Sequence, residues 1–229
     1  MAHRSEHDSP EPLEPQITEL ASAYAGALIA GDEAAAEIVL REAMDAGLSS
    51  AEIDEKLIAP ALWLVGEMWE QGQLSVAEEH LATEITVRVL ALQREAQRVA
   101  QARPRHCVML ATSPGEQHVV ALRMVGNLLR EAGYHVLMLG AEVPAWSLGE
   151  TADRHDVDVI CMSSTLSGRT DETLRVMDEI RERRPSVRFV IGGRGLRGEE
   201  QLRHEVRACQ RVSEAVEVVD AVLKRASLN

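Results

Sequence analysis

The sequence predicts an α/β protein, an N-terminal four-helix bundle followed by a doubly wound parallel sheet. Three observations carry that expectation. From Ile17 to about Ala102 the apolar residues recur only at helical spacing. After Pro104, short and nearly continuous apolar runs alternate with amphipathic ones, the pattern of a parallel sheet covered on both faces. Capping and turn residues fall at the joins.

In order along the chain, residues 1–15 are polar and proline-rich, and a disordered leader is expected there. Residues 16–102 are assigned to the bundle. "ITELASAYAGALIAG" ends at Gly31, and Asp32 caps "EAAAEIVLREAMDAG", which ends at Gly47. Ser50 is expected to open the third helix, with Glu52 and Glu55 in its first turns and a kink at Pro60; Ser75 caps the fourth and longest. Residues 103–229 form the second domain, with the boundary near Arg103. Its strands are "CVMLA", "HVLML", "DVICMSS" and "RFVIGG", separated by helices near 119–131, 146–154, 170–183 and 213–224. The order implies a Rossmann-like, flavodoxin-like sheet, in which ligands bind beyond the carboxyl ends of the strands.

Composition narrows the function. With 45% hydrophobic but only 3% aromatic residues, the core must be built from Ala, Leu, Val, Ile and Met. A net charge of −13 argues against direct nucleic-acid binding, which needs a basic face. No apolar run is long enough to span a membrane, and the N-terminus lacks a signal-peptide pattern, so a cytoplasmic protein is expected. Cys107, Cys161 and Cys209 have no metal-ligand spacing, and the first two lie inside apolar runs as small hydrophobes.

Three features cluster at strand ends: Glu116 with His118 after the first, Ser164 to Leu166 after the third, and Gly192-Gly193 after the fourth. Glu116-x-His118-x-x-Ala121, Ser164-x-Leu166 and Gly192-Gly193 resemble the Asp-x-His-x-x-Gly, Ser-x-Leu, Gly-Gly signature of cobalamin-binding domains. The resemblance implies that His118 is the lower axial ligand of cobalt, replacing the cofactor's own dimethylbenzimidazole. The displaced nucleotide tail would then enter a slot beside Ser164, Leu166, Gly192 and Gly193. The residues suit that role: a carboxylate accepting one imidazole N–H fixes the tautomer and leaves the other nitrogen for a metal. Glu116 stands where Asp is usual and Ala121 where Gly is usual.

In the helical half, Trp69, nine residues, then Glu79-His80 resembles the Trp-x9-Glu-His motif of cobalamin-dependent light-sensing regulators. There the three side chains cover the upper face of adenosylcobalamin. The resemblance implies a photoreceptor or signalling module rather than an enzyme, similar to photocobilin-like sensors without a DNA-binding domain. Such proteins also hold a linear tetrapyrrole such as biliverdin; without cysteine in the helical half, a bilin there would be non-covalent or anchored from the sheet domain. Expected partners are a second copy of the chain or a downstream regulatory protein. The alternative is a corrinoid methyl carrier of a methyltransferase system. The residue after Trp69 is Glu70, where the light-sensing repressors place a His. Trp63 is expected in the core, and Trp146 either at the cofactor rim or packed at a helix start.

Overall fold

The computed structural model describes residues 15–96, 106–165, 168, 170–196 and 206–224. The leader therefore lies outside the described residues except for Pro15, which opens the first helix, and so does the boundary near Arg103. The bundle begins with α1 (Pro15–Ala30) and α2 (Glu33–Asp45), joined through Gly31 at φ 66°. Asp32 caps α2 as expected, accepting from the Ala35 N–H. The third rod is α3 (Ser50–Glu52), a π-helical stretch Ile53–Ile58, and α4 (Ala59–Glu70) in one continuous run. Its cap is Ser49, one residue before the expected Ser50. Ser49 forms a capping box with Glu52, and this frees the Ser50 hydroxyl to donate to Glu131 in the second domain. The irregularity expected at Pro60 takes the form of the wide turns immediately before it, where the missing proline N–H is best tolerated. Ser75 and Glu78 cap α5 (Val76–Ala96) reciprocally.

The second domain holds five parallel strands: β1 (Cys107–Thr112), β2 (His135–Gly140), β3 (Val159–Ser163), β4 (Arg188–Gly192) and β5 (Val206–Cys209). Their order is β2-β1-β3-β4-β5. The connecting helices are α6 (Val120–Glu131), α7 (Ala145–Arg154), α8 (Thr170–Arg183) and α9 (Ala215–Lys224). β5 was not foreseen, because "VRAC" is a short, half-exposed edge strand with no apolar run. All residues of β1 and β3 are buried, as central strands of such a sheet require.

Each sheet face has its own core. Leu148, Leu174, Met177 and Ile180 from α7 and α8 cover one, and Leu122, Leu129, Val219 and Val222 from α6 and α9 cover the other. Met124 on the far side of α6 belongs instead to the bundle core, so α6 is shared between the two halves. The buried Asn127 amide tightens that seam by donating to the Leu90 carbonyl of α5 at 2.9 Å.

Candidate functional site

In a sheet of this order the chain departs in opposite directions from β1 and β3, leaving a crevice beyond their carboxyl ends. The loop after β1 is pinned there: the Ser113 N–H donates to the Ser163 carbonyl at 2.8 Å, and Gly115 takes φ 69°. The turn delivers Glu116 into the crevice, where it is 1% exposed, and leaves the His118 side chain 70% exposed.

One oxygen of Glu116 accepts from the His118 backbone N–H at 2.9 Å and meets the His118 Nδ1. The other accepts from the Thr165 backbone N–H at 2.7 Å and from the Thr165 hydroxyl. A single carboxylate thus bridges the loops after β1 and β3. Burial works against its charge. The Thr165 hydroxyl, the two backbone N–H groups and the His118 ring outweigh that penalty and hold the carboxyl down at about 2. With Nδ1 facing the carboxylate, the ring's exposed Nε2 is the nitrogen able to bind an electrophile or metal.

Across β4, Gly193 takes φ 121° and lies flat against Ser164. A Cβ there would fall 2.2 Å from the Ser164 carbonyl oxygen, so no other residue fits without moving the loop. A Cβ on Gly192 would meet the Cys209 carbonyl at 2.9 Å. Ser164, 2% exposed, donates its N–H to the Gly192 carbonyl. Glu116, His118, Ser164, Gly192 and Gly193 therefore share one rim, while Leu166 lies outside the described residues. Ala121 is exposed on α6, where a methyl group meets no crowding.

Among the described residues no group of three or more His, Cys, Asp or Glu side chains could cage a metal. A lone imidazole suits a metal that brings its other ligands with it, as in an organic macrocycle. The donor set fits that requirement: one outward imidazole nitrogen, oriented from behind by a buried anion.

Residues 106–223 match the family described as the B12 binding domain, and residues 20–93 match a second family of the same description. The chain belongs to the B12-binding domain family. The HTH-type transcriptional repressor CarH of Myxococcus xanthus is 32% identical to it over 154 residues, 66% of this chain and 50% of that protein, so the match spans half the repressor's length. The trimethylamine corrinoid protein 1 of Methanosarcina mazei is 28% identical over 167 residues, covering 71% of this chain and 76% of the relative. Among solved structures, the Methanosarcina barkeri monomethylamine corrinoid protein superposes with a TM-score of 0.75 at 18% identity, covering 90% of this chain and 99% of that one. This last likeness establishes the fold. The chain binds cobalamin, and the rim around His118 lies within the matched residues 106–223.

The bundle residues singled out from the sequence form a second group. Trp69 lies in the last turn of α4 and is 45% exposed; Glu79 and His80 stand in the first turns of α5, with the His80 Nδ1 2.5 Å from Glu79. The short connection through Gly72 makes α4 and α5 antiparallel neighbours, so the three residues occupy one end of the bundle. Trp63 corrects an expectation. It is 53% exposed rather than buried in the core, and the Arg194 guanidinium lies 5.3 Å from its ring centroid. Because Arg194 follows Gly193, this contact fixes α4 to the carboxyl rim of β4. Trp146 is 55% exposed near the start of α7. Thr165 and Arg194 are the residues sequence reading missed. Each sits beside a motif residue without being one, and only folding shows what it touches.

Proposed function

We propose that the protein is a cobalamin-dependent light sensor rather than an enzyme. In this reading His118 Nε2 would hold the cobalt of adenosylcobalamin, and Ser164, Leu166, Gly192 and Gly193 would line the slot for its nucleotide tail. Trp69, Glu79 and His80 serve the adenosyl group. When bound, the cofactor supplies a cobalt–carbon bond that light can break. The chain's own residues do the rest. Glu116 fixes the imidazole tautomer, Gly193 keeps the Ser164 loop close, and the exposed Trp69 indole offers an apolar face at the end of the bundle that carries the hydrogen-bonding groups of Glu79 and His80. Loss of the upper group would then alter how the bundle packs on the rim, through contacts such as Trp63–Arg194. A second copy of the chain or a downstream regulatory protein would read that change.

The observation that carries this reading is the exposed Trp69 in the last turn of α4, at the end of the bundle where the paired Glu79 and His80 open α5. The second reading, a corrinoid methyl carrier, draws on the trimethylamine relative, which matches over more of its own length than the repressor does. The non-covalent bilin considered from the sequence gains no support from the bundle interior. Ala25, Ala36, Ala43, Ala61 and Ala82 are buried there in the packed core.

Absorption spectra of the protein supplied with adenosylcobalamin and biliverdin, dark and after green illumination, test the proposal. The light-sensor reading expects a His-ligated spectrum that is lost in His118→Ala, and illumination that releases an adenosine-derived product. Binding of methylcobalamin alone, with demethylation by a methyltransferase, would establish the carrier.

A further inference from the structure

A cleft of about 380 Å³ opens between α5 and the α6–β2 layer, bordered by Leu90, Arg94, Val119, Arg123, Arg130 and Met138. It lies on the β2 side of His118, away from the Ser164–Gly193 rim on the β3 and β4 side. Arg123 and Arg130 are two turns apart on one face of α6, and Arg94 reaches the same space from α5.

This concentration of positive charge is unusual for the chain around it. Acidic groups exceed basic ones by 13, yet among the described residues neither Arg94 nor Arg123 forms an ion pair with a carboxylate. The Arg123 Nε is buried without a hydrogen-bond partner. Burial, and then the charges of Arg94 and Arg123, push the Arg130 guanidinium below the ordinary arginine range. Cations that repel one another around a buried and unused N–H are unfavourable in isolation, and an anion between them reverses the sign. The remaining wall is apolar, from Val87, Leu90, Ala91, Val119 and Met138. The Asn127–Leu90 hydrogen bond fixes the separation of the two helices, so the cleft is preformed.

We propose that this cleft binds an organic anion, a small molecule carrying a carboxylate or phosphate group on an apolar body. Arg94 and Arg123 hold the acidic group, and the apolar wall takes the body. Such a ligand bridges α5 of the bundle and α6 of the sheet domain, and so it strengthens the seam between them. The inference rests on this cleft alone and is independent of what binds at His118.

The test is calorimetric titration of the full chain with 1-naphthyl phosphate, inorganic phosphate and neutral 1-naphthol, in saturating adenosylcobalamin and darkness. Saturable one-site binding of naphthyl phosphate is expected, about tenfold tighter than either fragment. Arg94→Gln and Arg123→Gln should each weaken it at least about fivefold, whereas Arg123→Lys should retain most of it. Without probe, the two Gln variants should melt no lower than wild type, since each relieves repulsion. No binding of naphthyl phosphate up to about 5 mM, or binding that survives both Gln substitutions, would overturn the proposal.

Discussion

Glu116 carries its charge where water has been removed, and its ordering depends on that charge. Its folded carboxyl titrates near 2 against an ordinary value of 4.5, because the groups that donate to it favour the anion. The corresponding stability, roughly 3 kcal/mol, is present above about pH 4.5 and is lost as the pH falls through the folded value. Glu116→Gln should therefore melt at lower temperature than wild type at pH 7, with the difference shrinking towards pH 3. Melting curves across that range check it. Gly193 makes a steric claim instead. Gly193→Ala places a methyl group against the Ser164 carbonyl at a φ that L-residues avoid, and should cost about 2–4 kcal/mol in urea denaturation. The motif residues were legible from the sequence because their chemistry is local: a carboxylate two residues from an imidazole, and a glycine pair ending a strand. Thr165 was not, since its hydroxyl matters only once β3 lies beside β1.

Among the elements, the third rod of the bundle differed most from expectation. Its ends and helical character could be read from spacing, but the wide turns at Ile53–Ile58 could not, because they answer to tertiary contacts. Asp54 in this segment is fully buried against Gln93, which donates to it from α5 at 3.2 Å. Burial raises its carboxyl to about 7. The Gln93 donor partly opposes this, while Glu131 and Glu55 add to it. Here the sign is the reverse of Glu116: the folded state prefers the protonated acid, so stability falls as pH rises from about 4 to about 7. Asp54→Asn should remove that slope and be more stable at pH 8, by on the order of 2–4 kcal/mol. Its new amide N–H can also serve the Gln93 Oε1, which has no hydrogen-bond partner. Chemical denaturation of both proteins at pH 4, 6 and 8 measures the slope.

For the whole molecule, the two-part architecture followed from the change in periodicity after Pro104, and the parallel sheet followed from the alternation of four strands with helices. How the halves meet did not, because the seam uses single residues from distant segments. Asn127 with Leu90, Ser50 with Glu131, and Trp63 with Arg194 lie 37, 81 and 131 positions apart. No helix among the described residues is long and apolar enough to cross a membrane. Trp63→Ala should weaken the seam by about 0.5–1 kcal/mol and leave the two cores intact. The expected signature is faster hydrogen exchange in α4 and around Arg194, with little change in β1 and β3. Uniform acceleration through the sheet would show that Trp63 supports folding generally.

The wide turns before Pro60 also set an angle. A π-helical segment accommodates one more residue than a regular helix of the same rise, so every side chain after it is rotated by about 100° from where uninterrupted α-helix would aim it. Trp63, Leu64 and Trp69 all lie downstream. The direction these large exposed groups face is thus set by a single inserted residue upstream of them, and the Trp63–Arg194 contact depends on it. Deleting Lys56 should leave a straight rod of nearly the same length, with its tryptophans swung a quarter turn around the axis. Helix content would survive and the Arg194 contact would not, and tryptophan fluorescence would report the difference.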